Sequence, residues 1–166
     1  MRRALGVLTL SLTALPVFRL SAQGVDRTKP PTLPAPPALK LPAVQTTTLP
    51  NGLMLAVVEM HKVPVVDVQL LLDAGAARDP SGVPGLATFT ATMLQQGAGA
   101  RSALDVADEA AFLGAQLGTT ASFDGASASI HVPKRRLEAG LDLLADVVLR
   151  PSFADSEIAR QRELRA

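Results

Sequence analysis

The chain has 166 residues, of which 48% are hydrophobic, 19% charged and 3% aromatic, with a formal net charge of +1. This length corresponds to one ordinary globular domain and excludes a large multidomain enzyme. The scarcity of aromatic rings and the interleaving of opposite charges argue against a nucleic-acid partner, because base stacking needs rings and phosphate binding needs clustered cations.

The composition also excludes several kinds of catalytic and metal-binding site. There is no cysteine, so disulfides, thiolate zinc sites, iron–sulfur clusters and cysteine nucleophiles are excluded. The two histidines, His61 and His131, are far apart, and neither has a second His, Asp or Glu at helical ligand spacing. We therefore predict that they are a loop residue and a strand residue rather than metal ligands.

The N-terminus has the pattern of an export signal. Two arginines precede an apolar stretch at residues 4–18, and small residues follow up to Ala22. This pattern predicts a signal peptide at residues 1–22, cleavage near Ala22, and a periplasmic or extracellular location. The alternative is an uncleaved segment that anchors the chain to a membrane.

A proline-rich segment separates this signal from the rest of the chain. Residues 23–43 contain six prolines, a density that disfavours helices and sheets and predicts an extended linker. The globular domain is therefore predicted at residues 44–166.

The domain begins with three predicted strands. Residues 44–49 and 53–59 predict a hairpin around an Asn51-Gly52 turn. Residues 65–72 are nearly all apolar, which predicts a strand covered on both faces. The composition of residues 74–84 predicts a loop.

Two helices and a second hairpin are predicted next. Residues 84–96 predict a helix whose core face is formed by four apolar residues at helical spacing, namely Leu86, Phe89, Met93 and Leu94. Ser102 and Asp105 form a capping box that predicts the start of a second helix, which Gly114 ends. Residues 117–122 and 126–132 then predict a hairpin.

Two further helices complete the predicted domain. Pro133 begins one helix, Pro151 ends it, and its predicted core residues are Leu137, Leu141, Leu144 and Val148. The last helix is predicted from Asp155 or Ser156 to Ala166, without a C-terminal cap. This order predicts an α+β fold with a mostly antiparallel sheet and helices on one face.

Short motifs follow one another in a fixed order across residues 44–166. They are LPNGL at 49–53, Val63-Pro64, AGAARDP at 74–80, Gly82, GLA at 85–87, Met93-Leu94, Gly97, LGA at 113–115, Asp124, Val132-Pro133 and PSF at 151–153. Together they resemble the N-terminal domain of the pitrilysin-like (insulinase) zinc peptidases. The resemblance implies the α+β fold of that domain.

In that family the segment after Gly-Leu-Ala carries the inverted zinc motif H-x-x-E-H, which supplies two imidazoles and a general base. The matching positions here are Thr88, Ala91 and Thr92, which supply neither. The family's remaining ligand, a Glu, would fall at or just past Ala166, and Glu163 is not a substitute for it. The resemblance therefore predicts a degenerate motif, with no catalytic, metal-binding or cofactor-binding residue in this chain.

Three other sequence patterns give weaker indications of a functional site. Residues 97–100 contain glycines but lack the Gly-Lys-Ser/Thr of a phosphate-binding loop. Ser122, Asp124 and His131 are the residue types of a hydrolase triad, but they lie on one predicted hairpin without a nucleophile elbow. The basic run at residues 134–136 is predicted to be a solvated face.

The resemblance implies an exported, non-catalytic homologue that serves as the partner or substrate-binding half of a zinc peptidase assembly. Zinc is then expected only in a related catalytic chain, and the strand at 126–132 and its edge offer backbone for extended peptides. A typical family chain has a second half that this sequence lacks, which predicts a truncated product. The alternatives are a structural or interaction domain, a non-functional fragment, and an enzyme that uses other residues.

Overall fold

The structure is a computed structural model that describes residues 34–36 and 38–165. The predicted signal peptide and part of the predicted linker lie outside these residues. The chain divides into two units, residues 1–41 and 42–166. The described residues of the first unit are exposed and have no regular secondary structure. Within the described part of the chain, no helix has the length and apolar character needed to cross a membrane.

The second unit combines antiparallel strands with four α-helices. In chain order its elements are β1 (Val44–Thr48), β2 (Met54–Val58), β3 (Val65–Leu72), α1 (Leu86–Met93), β4 (Gly97–Ala98), β5 (Arg101–Ser102), α2 (Ala103–Leu113), β6 (Gln116–Ala121), β7 (Ala126–Pro133), α3 (Leu137–Leu149) and α4 (Asp155–Glu163). Among the described residues the strands form three sheets, with the orders β1-β2, β3-β7-β6 and β4-β5. Both predicted hairpins are confirmed.

The three-stranded sheet has one face covered by helices. Alternate residues of β7, namely Ala128, Ile130 and Val132, are fully buried and pack with Leu144 of α3. Thr119 of β6 is paired with Ala128 and reaches α1 from the same face. Side chains with polar groups, Ser127, Ser129 and His131, occupy the intervening positions of β7. The predicted α+β fold with helices on one face is thus confirmed.

Strand β3 corrects the prediction of a strand covered on both faces. Among the described residues it is an edge strand that pairs with β7 alone, and its half-buried and exposed side chains alternate. Leu71 is 73% exposed because it lies opposite Ser127, on the face away from the helices. An apolar run is compatible with a strand covered on both faces, but in β3 Leu71 lies on the face that the helices do not cover.

Helix α1 begins later than predicted. Gly85 precedes it in the left-handed region with φ 89°, and Pro84 lies in the preceding turn. The Asp79 carboxylate accepts hydrogen bonds from the backbone N–H groups of Gly85 at 2.7 Å and Ala87 at 2.9 Å. A cap supplied from six residues upstream therefore fixes the helix start, which the local capping rules do not anticipate.

The buried faces of α1 and α3 agree only in part with the predicted ones, since Met93 and Leu144 are buried as predicted but other predicted members are exposed. The buried residues are Ala91 and Met93 in α1, and Gly140, Leu143, Leu144, Asp146 and Val147 in α3. Of the predicted faces, Leu86 and Leu141 are each 41% exposed. A Cβ on Gly140 would lie 3.2 Å from Val132, so the absence of a side chain lets α3 approach β7 closely. Counting large apolar residues misses such small contact residues.

The ends of α3 and α4 correct two further predictions. Pro133 ends β7 instead of starting a helix, and a 3₁₀ turn at Lys134–Arg136 precedes α3. Helix α4 ends at Glu163 and is followed by Leu164 as its C-cap. The predicted extension to Ala166 is therefore wrong at Leu164, and Ala166 itself lies outside the described residues.

Helix α2 forms as predicted. The Ser102 hydroxyl accepts from the Asp105 N–H at 3.2 Å, the Asp105 carboxylate accepts from the Ser102 N–H at 2.9 Å, and Gly114 ends the helix with φ 65°. The Ser102 hydroxyl also donates to the Asp105 carboxylate at 2.7 Å, and this bond, with the one from the Ser102 N–H, holds the pKa of Asp105 below its ordinary value. The confirmed capping box needs only two residues three positions apart, so it is visible in sequence.

A short hairpin, β4-β5, was not predicted. Arg101 of β5 forms ion pairs with Glu109 of α2 and Asp146 of α3, and Asp146 also pairs with Arg150. Asp146 is the buried charged residue of the described chain, 8% exposed. The Arg150 and Arg101 guanidinium groups hold the pKa of Asp146 below its ordinary value despite its burial. This network attaches the hairpin to the α2–α3 core.

Candidate binding site on helix α1

The residues at the degenerate motif lie on α1. Thr88 and Thr92 are one helical turn apart, and the Thr92 hydroxyl donates to the Thr88 carbonyl at 3.1 Å. Ala91 is 5% exposed and offers a methyl group. Among residues 34–36 and 38–165, no group of three or more His, Asp or Glu side chains could hold a metal ion. Two hydroxyls and a methyl group do not fit a zinc ion, which requires nitrogen, sulfur or carboxylate ligands.

Helix α1 is attached to strand β6 through one threonine. The Thr119 hydroxyl donates to the Ala91 carbonyl at 2.6 Å and accepts from the Gln95 amide at 2.7 Å. Within the described chain, β6 pairs on one side with β7, and its other edge has no strand partner. The motif helix therefore lies beside a strand edge whose backbone groups are available for pairing.

Two arginines from the C-terminal region contact the motif helix and the turn that follows it. Arg165 donates from Nη2 to the Thr92 hydroxyl at 2.6 Å, and its guanidinium carbon lies 5.1 Å from the centroid of the Phe89 ring. Arg160 donates from Nη2 to Gln96 Oε1 at 2.6 Å. Thr92, which occupies the position of the second motif histidine, thus accepts a hydrogen bond from the Arg165 guanidinium.

An apolar groove of about 390 Å³ runs along another part of α1. Ala87, Thr90 and Ala91 line it from the helix, and Leu72 and Ala126 line it from the end of the sheet. Its lining contains a single carboxylate, that of Asp79, which already accepts from the Gly85 and Ala87 N–H groups at the start of α1. We therefore place the candidate binding site on the face of α1 that carries Thr88 and Thr92 rather than in the groove.

The other residues singled out in the sequence lie apart from α1. His61 is exposed, with Nε2 3.2 Å from Glu59 Oε2, and His131 Nδ1 lies 2.5 Å from Asp67 Oδ1 across two strands. Ser122 bonds within its own turn, at the opposite end of the β6-β7 hairpin from His131. The residues considered for a hydrolase triad are consequently not assembled.

Sequence reasoning missed Thr119, Gln95, Arg160 and Arg165. The contact between Arg165 and Thr92 joins residues 73 positions apart, and Thr119 and Ala91 are 28 positions apart. No local spacing could have indicated these pairs. Glu163 is exposed on α4.

Comparison with known protein families and sequences agrees with the resemblance that the sequence motifs indicated. The family model described as insulinase (peptidase family M16) matches residues 54–166. The chain is 30% identical over 152 residues to the mitochondrial-processing peptidase subunit beta of Mus musculus, covering 89% of this chain and 31% of that protein. It is also 30% identical over 131 residues to an uncharacterized zinc protease of Mycobacterium bovis, covering 79% of this chain and 30% of the relative.

Solved structures agree with these matches. The inactive domain of an M16 peptidase from Pseudomonas fluorescens superimposes with a TM-score of 0.70 and 31% identity, covering 74% of this chain and 30% of that one. A protease from Helicobacter pylori, at 22% identity and a TM-score of 0.67, shares the fold over 75% of this chain and 30% of its own. The resemblance predicted from sequence is confirmed, and the chain spans less than a third of these relatives.

Proposed function

The chain belongs to the insulinase family, peptidase family M16, and on that premise we propose that it is a non-catalytic homologue that binds extended peptides beside a related catalytic chain. The observation that carries the proposal is the degenerate motif on an intact helix. Thr88, Ala91 and Thr92 form a regular part of α1, yet they provide no zinc ligand and no general base. Zinc would then belong to the catalytic chain alone.

The open edge of β6 supports peptide binding. An extended peptide can add to an unpaired strand through main-chain hydrogen bonds, so it needs no particular side chain for affinity. Thr119 ties this strand to Ala91 of the motif helix, which places a bound peptide beside α1. Similarity to a domain described as inactive agrees with a binding role without cleavage.

Two observations support a partner chain. The relative from Mus musculus is named as a subunit. In this chain, the β1-β2 hairpin exposes apolar side chains, including Val44 at 60% and Met54 at 73% exposure. Isolated two-stranded hairpins are marginally stable, so a covering partner would stabilise it. The same hairpin favours a second candidate, a structural or interaction domain that binds a partner and no peptide.

The proposal is tested with the full chain and a fluorescein-labelled peptide of sequence Val-Thr-Val-Ser-Ala. We expect a rise in fluorescence anisotropy on binding and an intact peptide by mass spectrometry, with added zinc or with a chelator. The matched control peptide carries N-methyl groups at alternate residues and should bind far more weakly, because it lacks half of the donors. Chelator-sensitive cleavage would overturn the proposal, whereas absence of binding together with capture of a related family chain would favour the structural role.

We also propose export with removal of residues 1–22. The two N-terminal arginines and Arg19 are three of the sixteen basic residues, so their loss against fifteen acidic residues leaves a net charge of −2. The support is the basic and apolar order of this segment. Mass spectrometry of the secreted or periplasmic protein should find a new N-terminus near Gln23. An intact Met1 on membrane-bound protein would contradict cleavage.

A further inference from the structure

We propose that Arg165 forms a carboxylate-binding position on the motif face of α1, and that it holds a carboxylate of a peptide bound at the β6 edge. The inference rests on the proposed peptide binding and names the chemistry of the ligand. A degenerate zinc motif on its own predicts only the loss of a cation. In the structure, the positively charged side chain of Arg165 instead contacts Thr92, at the second histidine position of the motif.

Two neutral groups hold the Arg165 guanidinium. Its Nη2 donates to the Thr92 hydroxyl at 2.6 Å, and its guanidinium carbon lies 5.1 Å from the Phe89 ring centroid. These contacts orient the group without neutralising its charge, since one partner is a hydroxyl and the other an aromatic face. A guanidinium has five N–H donors in a planar fork, so the bond to Thr92 leaves most of them for a ligand.

The neighbouring arginine provides an internal contrast. Arg160 is also exposed on this side of the molecule, but its Nε donates to Glu157 at 2.8 Å and its Nη2 donates to Gln96. Among the described residues, the arginines paired with carboxylates are Arg78, Arg101, Arg150 and Arg160. In the part of the chain that the structure describes, Arg165 is anchored without such a pair, so its guanidinium is more available to an anion than that of Arg160.

A short chain of contacts connects Arg165 to the strand edge. Arg165 contacts Thr92, the adjacent Ala91 carbonyl accepts from Thr119, and Thr119 belongs to β6. A peptide added to β6 would therefore run close to the guanidinium. A carboxylate matches the planar fork and can accept two parallel hydrogen bonds, which a neutral peptide carbonyl cannot. The carboxylate comes either from the C-terminus of the peptide or from an acidic side chain.

The test uses the full chain and three fluorescein-labelled peptides. The first is Val-Thr-Val-Ser-Ala with a free C-terminal carboxylate, the second is its C-terminal amide, and the third is the amide with Glu in place of Ser. We expect at least one carboxylate-bearing peptide to bind about tenfold more tightly than the neutral amide, as a charge-assisted hydrogen bond predicts. Which of the two gains affinity identifies the source of the carboxylate.

Substitutions assign the effect to one residue. Arg165→Gln should abolish the preference for the carboxylate-bearing peptide over the neutral amide, while Arg165→Lys should restore part of the preference. Arg162→Gln is the matched control, because it removes the same charge from an exposed position of the same region. Thermal melts verify that each variant folds, and the comparison of peptides on the unaltered chain does not depend on any variant.

The outcomes separate this inference from the proposed function. Equal binding of acid and amide peptides would overturn the carboxylate position and leave peptide binding at β6 intact. Equal loss of the preference in the Arg162 and Arg165 variants would overturn it as well, because the effect would then be general charge. Failure of all three peptides to bind would overturn both proposals.

Discussion

Helices α1 and α3 pack on the same face of the three-stranded sheet, but they are built differently. Helix α3 buries five of its residues, including Leu143 and Val147 at 0% exposure. Helix α1 buries only Ala91 and Met93. Its Thr92 hydroxyl accepts a bond from Arg165, and Gln95, in the turn that follows the helix, bonds to Thr119 of β6. The difference predicts that α3 contributes more to stability than α1, and it agrees with the binding role that we propose for α1. Substitutions on the two helices test that division.

The largest effect is expected in α3. Leu143→Ala removes a fully buried side chain from the cluster formed by α2, α3 and β4. We expect the free energy of unfolding to fall by about 2–5 kcal/mol, because transfer and cavity terms add. Urea denaturation measures the change. Leu149→Ala, at a residue 76% exposed on the same helix, should change it by less than about 0.5 kcal/mol.

The ion-pair network of α3 predicts a pH dependence. Because the pKa of Asp146 is lowered in the folded state, its contribution is fully present above its ordinary value of 3.8 and is lost as pH falls through the lowered value. Asp146→Asn should therefore lower the melting temperature at pH 7, and the difference from the unaltered chain should shrink below pH about 4. Asp73→Asn, which breaks an exposed pair with Arg78, should have a smaller effect. Equal effects of the two variants would contradict the role assigned to burial.

On α1, the buried and exposed motif positions should respond differently. Ala91→Glu introduces a carboxylate where the side chain is 5% exposed, and we expect it to reduce stability by about 1–3 kcal/mol through overpacking and desolvation. Thr88→Glu, at an exposed position on the same helix, should stay within about 0.5 kcal/mol of the unaltered chain. A harmless Ala91→Glu variant would show that this face of α1 is open rather than packed.

The smallest effect is expected where α1 meets Arg165. Thr92→Val keeps the shape of the side chain and removes the acceptor of the Arg165 bond. We expect a loss of about 0.5–1.5 kcal/mol at most, as for a single hydrogen bond near the surface. The same variant should weaken the preference for carboxylate peptides, because the guanidinium loses one of its anchors. Unchanged preference would assign the orientation of Arg165 to Phe89 alone.

The sequence revealed features that depend on neighbouring residues. The Asn51-Gly52 turn and the capping box of Ser102 and Asp105 require only local spacing, and both formed as predicted. The motif positions on α1 were also found, through their order along the chain. Such signals suffice for the element order of most of the domain.

What the sequence could not reveal depends on contacts between distant residues. The cap on α1 comes from Asp79, the β4-β5 hairpin is held by Arg101 through Asp146 of α3, and Arg165 reaches Thr92 from the far end of the domain. Small contact residues such as Gly140 carry no apolar signal either. The sequence therefore shows that α1 lacks the zinc motif, but it does not show the contacts that Arg165 and Thr119 make with this helix.

Metal analysis shows directly whether α1 holds a catalytic zinc ion. The purified full chain is loaded with excess zinc, dialysed against metal-free buffer and measured by plasma mass spectrometry. We expect no stoichiometric zinc in the unaltered chain and no change in a Thr88→Ala, Thr92→Ala variant. One equivalent of zinc that survives dialysis and is lost in that variant would show instead that the motif helix is a metal site.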